Sequence, residues 1–274
     1  MSVFDEPKID THCHLFDPVR YPYRPDTPYR PAGQEVATLD QMEAVFAAYN
    51  VGRALLVQPN SGYDMDLRCM LDAIAASDGR FKGVAGVPLD ISSSDLLDLK
   101  ARGIVGVAFN AAFHGVDYYV AGAPGLLPKL AANGLFLQLQ WEKDQFLGLW
   151  PAMRDFPGTI VLDHCGRPEI AEGLGGATFQ AVLDAGRRPD TYVKLSGYAK
   201  FTRERWPHRD VWPFVQALAG AFGPDRCLWA SDWPFIRAAE RMDYGPLLRL
   251  VELLFPDPET RHRMLWANAA RLLG

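Results

Sequence analysis

Paired cysteines are missing from this chain. Its four cysteines, at 13, 69, 165 and 227, form no C-x-x-C unit. A disulfide framework or a thiolate zinc knuckle is therefore excluded as its organising feature, and buried free thiols are the expectation. A basic excess is missing too. Lys and Arg number 28 against 33 Asp and Glu, a net charge of −5, which argues against nucleic acid and anionic membrane surfaces as partners. No apolar run reaches the roughly 20 residues a membrane helix needs. The first ten residues carry Asp5, Glu6 and Asp10 and lack the apolar core of a secretory leader, so a cytoplasmic protein is expected. No glycine-rich phosphate turn opens the chain, as a dinucleotide-binding sheet would require. Histidine is scarce, six in 274 residues.

Two of those six histidines stand together, in Asp10-Thr11-His12-Cys13-His14. The stretch from Lys8 to His14 reads as a strand, and alternation puts Asp10, His12 and His14 on one face, Thr11 and Cys13 on the other. Two imidazoles so placed can reach one metal ion or one substrate atom. The bland alternative is a pair of unrelated surface histidines. A proline-studded loop follows, with Pro18, Pro22, Pro25, Pro28 and Pro31 set among Arg20, Tyr21, Tyr23, Arg24, Tyr29 and Arg30. Proline makes it stiff. Its guanidinium and phenol groups suit a lid over a polar ligand, and the competing reading is a solvated surface excursion.

From residue 38 onward apolar strands alternate with amphipathic helices. Thr38 caps the first helix. The strands end on Gln58, Val87, Asn110, Gln140, His164, Gly197 and Asp232, and helices are expected at 64–77, 94–102, 124–133, 145–156, 179–187, 211–222, 246–255 and 258–265. With the Lys8–His14 strand these strands make eight over about 250 residues, and they predict a single-domain (β/α)8 TIM barrel spanning 1–274. In that fold function sits at the C-terminal strand ends. Those ends carry His12 and His14, then Gln58, Asn60 and Ser61, then Asn110. They carry Gln138 and Gln140, Asp163 and His164, Lys194 and Ser196, and finally Ser231 and Asp232. Three histidines and a carboxylate, remote in sequence, are expected at one mouth. Candidate substrate contacts are Asn60, Ser61, Asn110, Gln140 and Ser196, with Tyr29, Arg24 and Arg30 from the loop.

These motifs resemble the amidohydrolase superfamily. They are Asp10-Thr11-His12-Cys13-His14, Gln58-Pro59-Asn60-Ser61, Val107-Ala108-Phe109-Asn110, Leu162-Asp163-His164-Cys165-Gly166, Ser231-Asp232-Trp233-Pro234-Phe235 and the ending Asn268-Ala269-Ala270-Arg271-Leu272-Leu273-Gly274. More narrowly the chain is similar to the amidohydrolase-related barrels that include lactonases of pyrone dicarboxylates, muconates and carbohydrates. The resemblance implies a hydrolase opening a small lactone, carboxylated or not. Asp232 would be the general base, and His12, His14 and His164 would polarise the carbonyl directly or through one metal. It implies zero or one divalent ion, zinc or manganese, on His12, His14, His164 and Asp232. Members with two metals use a lysine on strand four and a histidine on strand five, and strand five here offers only Gln138 and Gln140. Ala108 stands where these lactonases usually carry arginine; Arg20, Arg24, Arg30, Lys200 and Arg203 are the possible substitutes. Two rivals are a metal-dependent non-oxidative decarboxylase and a catalytically silent binding protein on the same barrel.

Overall fold

A computed structural model describes residues 2–274. Eight parallel strands form one sheet in sequential order: β1 (Lys8–Cys13), β2 (Val51–Val57), β3 (Phe81–Ala85), β4 (Ile104–Asn110), β5 (Phe136–Gln140), β6 (Ile160–Leu162), β7 (Thr191–Leu195) and β8 (Cys227–Trp229). Helices follow most of the strands, and the architecture is a (β/α)8 barrel. Two apolar cores result from strand alternation. Ile9, Leu55, Val57, Val84, Phe136, Val161 and Leu228 fill the barrel interior with Ala269 and Leu273 of the last helix. Their neighbours Leu56, Leu137, Leu162 and Trp229 point outward into the layer under the helices. The wall is thus buried on both faces, which explains the near-continuous apolar runs of the strands.

The barrel closes at a seam between β1 and β8 that is stitched mainly beyond the strands themselves. Cys13 and Trp233 form an isolated parallel bridge. Asp232 N–H donates to the His12 carbonyl at 2.9 Å and His14 N–H to the Trp233 carbonyl at 2.9 Å. This seam sets His12 and His14 beside Asp232, across 220 residues of chain.

The seam also corrects the facing of Asp10. A register shift lies between Asp10 and Cys13, where three steps on β1 match two on β2. Such a bulge reverses the alternation. Asp10 therefore turns to the outer layer and accepts from Ser231 N–H at 3.0 Å, Ser231 Oγ at 2.5 Å and Tyr244 Oη at 2.8 Å. His12 stays inside. Replacing Asp10 by alanine would strand these buried donors, each costing about 1–3 kcal/mol unpaired. Removing the burial cost of the carboxylate offsets part of that. We expect a net loss of about 2–4 kcal/mol, read as a lower urea midpoint at unchanged slope. A loss below about 0.5 kcal/mol, the scale of neutral surface changes, would show that the seam does not depend on Asp10.

Two other expectations shift. The helix anticipated at 124–133 begins at Val116 and carries Pro124 and Pro128 inside it. Proline fits helical φ and forfeits one ladder bond, and the buried Tyr119, Ala123, Leu126, Leu127 and Leu130 hold this helix regardless. Strands six and eight stop at Leu162 and Trp229, short of His164 and Asp232, and His164, Cys165 and Asp232 take left-handed φ values of 50°, 56° and 60°.

All four cysteines are free and buried. Burial pushes the Cys69 and Cys227 thiols up to about 12, so they are inert. No helix among the described residues is long and apolar enough to cross a membrane.

Candidate active site

The C-terminal mouth gathers four groups around one atom. Asp232 Oδ1 lies 3.5 Å from His14 Nε2, 3.7 Å from His164 Nε2 and 4.0 Å from His12 Nε2. All four side chains are buried. Backbone strain aims two of them: Asp232 has φ 60° and His164 φ 50°. Non-glycine residues adopt this region at a cost and tend to do so at functional sites. Gly197, at φ +68°, fits directly under the His164 ring, and a Cβ there would stand 2.6 Å from Cγ and Nδ1.

Each ring has a defined partner behind it. His14 Nδ1 sits 2.8 Å from the Val57 carbonyl, an acceptor only, so Nδ1 carries the proton and a neutral ring has a bare Nε2. His164 Nδ1 meets Ser196 Oγ at 3.1 Å. His12 Nδ1 meets Asp163 Oδ1 at 3.3 Å and Lys194 Nζ at 3.2 Å. Burial and the nearby Lys194 ammonium push the His12 imidazolium down to about 4, so the ring is neutral near pH 7. Burial likewise holds His164 well below the ordinary histidine range. Burial alone would raise the Asp232 carboxyl, but Lys200 first, and then the surrounding imidazoles, hold it well below the usual range. Lys200 Nζ stands 3.4 Å from Asp232 Oδ2 and donates to the Ile236 carbonyl at 2.5 Å.

The donor set fits a single divalent ion. His12, His14 and Asp232 offer ligand atoms within 4.8 Å of one another, with His164 Nε2 3.7 Å from Asp232 Oδ1, and imidazole nitrogens with a carboxylate oxygen are the ligand chemistry of zinc. His12 Nε2 is buried with no hydrogen-bond partner, and an orphaned buried nitrogen of this kind calls for one. A second convergence of His12, Asp163 and His164 shares the same ring. There, however, Asp163 is already committed to Lys194 at 3.0 Å and to Gln138 Nε2 at 2.8 Å.

The remaining candidates divide. Asn110 Nδ2 donates to Asn60 Oδ1 at 2.7 Å, and Asn60 Nδ2 to Asp64 Oδ1 at 3.1 Å. Arg24 is engaged by Asp26 at 2.8 Å and by Asp64 at 3.1 Å, so it reaches this amide pair only through Asp64. Gln140 pairs with Asn110 in the β4–β5 register, and Ser61 is partly buried in the turn after Asn60. Tyr29 Oη donates to Glu35 at 2.6 Å, with Arg237 4.4 Å above its ring. Arg30 is exposed and donates to the carbonyls of Arg24 and Pro25; it braces its own loop rather than the cluster. Tyr21 Oη donates to Asp72, away from the mouth. Of the cations considered in place of an arginine at 108, the structure brings Lys200 to Asp232. Arg203 is spent on Glu169 at the surface, and Arg20 stacks on Tyr21. Sequence reasoning placed Gln138, Asp163 and Lys194 at strand ends but gave them no role. It named Lys200 only as a substitute for an arginine at 108, and passed over Asp64 and His114, whose Nε2 lies 3.4 Å from Asp64. The only available signal was the period-two spacing that turns Gln138, Asp163 and Lys194 inward.

A (β/α)8 barrel with a buried carboxylate among three imidazoles at its C-terminal mouth defines a class of barrel enzymes. Comparison narrows the class. The amidohydrolase family profile matches residues 9–274, and the chain belongs to that family. It is 32% identical to a 4-sulfomuconolactone hydrolase of Rhizobium radiobacter, over 97% of this chain and 89% of that one. It is 29% identical to a 2-pyrone-4,6-dicarboxylate hydrolase of Comamonas testosteroni, over 96% and 89%. A zinc-bound amidohydrolase from Burkholderia multivorans superposes with a TM-score of 0.76 at 22% identity, covering 97% of this chain and 99% of that one. That likeness concerns the fold.

Proposed function

We propose that this protein is a lactonase-type hydrolase acting on a small cyclic ester, with the whole chain serving as one barrel domain. The relatives named above are hydrolases, two of them matched along nearly the full chain, and they favour this reading over a decarboxylase. The observation that carries the mechanism is the position of Asp232 Oδ1, within 3.5–4.0 Å of three imidazole nitrogens. A carboxylate so placed stays ionised and can take a proton from a water in the mouth. The resulting hydroxide attacks the lactone carbonyl carbon. The ring C–O bond then breaks, and Asp232 returns the proton to the departing oxygen. Negative charge grows on the carbonyl oxygen, and groups that favour that charge accelerate the step. Lys200 and any ring nitrogen bearing a proton toward the mouth can do this.

If an ion is held, His12, His14 and His164 through Nε2 and Asp232 through Oδ1 are its ligands, and it would polarise the carbonyl as a Lewis acid. Asn60, Ser61, Asn110 and Gln140 form the neutral amide and hydroxyl side of the mouth and are the candidate contacts to the rest of the lactone. Nucleic acid and membrane are not partners in this reading.

The deciding test is turnover of a lactone panel in ¹⁸O-water, with metal analysis of the purified protein. Hydrolysis by acyl attack places one label in the new carboxylate. Carbon dioxide release without label would hand the function to a decarboxylase.

The pH profile gives a separate check. Asp232 works as the base only when ionised, and its carboxyl lies below the usual range because of Lys200 and the imidazoles, against the effect of burial. The active form therefore persists as pH falls and disappears only below the ordinary carboxylate value of about 3.9. We expect kcat to hold level from roughly pH 7 down to 5. An acid limb above that ordinary value would place the base elsewhere.

A further inference from the structure

Beneath the mouth lies a buried polar layer that the reaction above does not use. Lys194, Asp163 and Gln138 all point into the barrel and are fully buried. Lys194 Nζ donates to Gln138 Oε1 at 2.7 Å and to Asp163 Oδ1 at 3.0 Å. Gln138 Nε2 donates in turn to Asp163 Oδ2 at 2.8 Å. An ammonium has three protons and no acceptor. Two are spent on these bonds, and the third faces His12 Nδ1 at 3.2 Å. The same His12 nitrogen lies 3.3 Å from Asp163 Oδ1. One ring nitrogen is thus contested by a donor and an acceptor. If Lys194 donates to it, Nδ1 is bare and the proton sits on Nε2, facing the mouth. If Nδ1–H donates to Asp163, then Nε2 presents a lone pair.

The two forms do different chemistry. Nε2–H is a hydrogen-bond donor, suited to a carbonyl oxygen gaining charge. A bare Nε2 is a metal ligand, and a ligating histidine usually donates its other N–H to a carboxylate. His14 has no such choice, because the Val57 carbonyl fixes its Nδ1–H. We propose that Lys194 and Asp163 are positioning residues that select the tautomer of His12. Lys194 holds it as a donor in the metal-free protein, and Asp163 converts it to a ligand when a divalent ion arrives. Gln138 ties the pair together, so that both partners stay at one nitrogen. This pairing explains why a lysine and an aspartate are buried in an otherwise apolar barrel directly below an orphaned imidazole nitrogen.

The inference rests on the site reading above, but its test uses no lactone, so failure of the substrate assignment leaves it standing or falling by itself. Histidine-selective ¹⁵N labelling with ring ¹H–¹⁵N correlations distinguishes protonated from bare ring nitrogens, and His12→Gln identifies the relevant signals. The metal-free protein should show His12 as Nε2–H. Adding zinc alone should move the proton to Nδ1. Lys194→Met should give the Nδ1–H form without zinc. Should that variant fail to fold, Asp163→Asn serves in its place. It should keep Nε2–H in the metal-free state and bind zinc about 10–100-fold more weakly in chelator competition. A wild-type His12 already protonated at Nδ1, a tautomer unmoved by Lys194→Met, or unchanged zinc affinity in Asp163→Asn would each overturn the proposal.

Discussion

Asp232→Asn should lower lactone turnover by about 10²–10⁴-fold, the loss typical of removing a general base. Asparagine preserves size and leaves the three rings and the amide side of the mouth in place. KM should therefore change little while kcat falls, the pattern of an interaction needed only in the transition state. The substitution also frees Lys200, whose Nζ lies 3.4 Å from Asp232 Oδ2. That lysine keeps its bond to the Ile236 carbonyl, so the site should remain folded, as an unchanged circular dichroism spectrum would verify. Activity within tenfold of wild type would remove Asp232 from the role of base.

Gly197→Ala is the second large effect. The backbone there has φ +68°, and the added methyl would stand 2.6 Å from the His164 ring. Left-handed φ costs an ordinary residue about 1–2 kcal/mol. The clash cannot be relieved within the ring's present position, so His164 must move. Misplacement by about 1 Å costs on the order of 10²-fold in rate, and we expect at least that loss in kcat/KM. Gly173→Ala separates strain from displacement. Gly173 has φ +64° and ψ −169°, a region less open to alanine than that of Gly197, and a methyl added there would meet nothing within 4 Å, so its alanine variant should lose at least as much stability and keep activity. Equal activities for the two variants would show that His164 tolerates the intrusion.

The loop from Pro18 to Pro31 illustrates how far composition carries. Its arginines and tyrosines suggested a lid. In the structure Arg24 is bound by Asp26 and Asp64, Arg30 by carbonyls of its own loop, and Tyr29 by Glu35. Composition says which groups can bind an anion. It does not say which have already found one within the protein, because those partners are set by tertiary contact.

What the sequence determined by itself was the alternation of apolar strands and helices, and hence the barrel and the strand ends where His12, His14, His164 and Asp232 stand. That follows from local physics: strand and helix periods are short-range, and the parallel barrel places every C-terminal strand end at one mouth. Only the tertiary structure decided how those ends are aimed. The bulge in β1 turned Asp10 out to the seam while keeping His12 inside, and left-handed turns swung His164 and Asp232 over the mouth. It also decided that Lys194 and Asp163 share one nitrogen of His12. Bulges and strained turns persist because surrounding packing over-determines them, and buried ion pairs are fixed by long-range geometry. Period two turns Asp163 and Lys194 inward, but neither a bulge nor the pairing itself leaves a periodic trace along the chain.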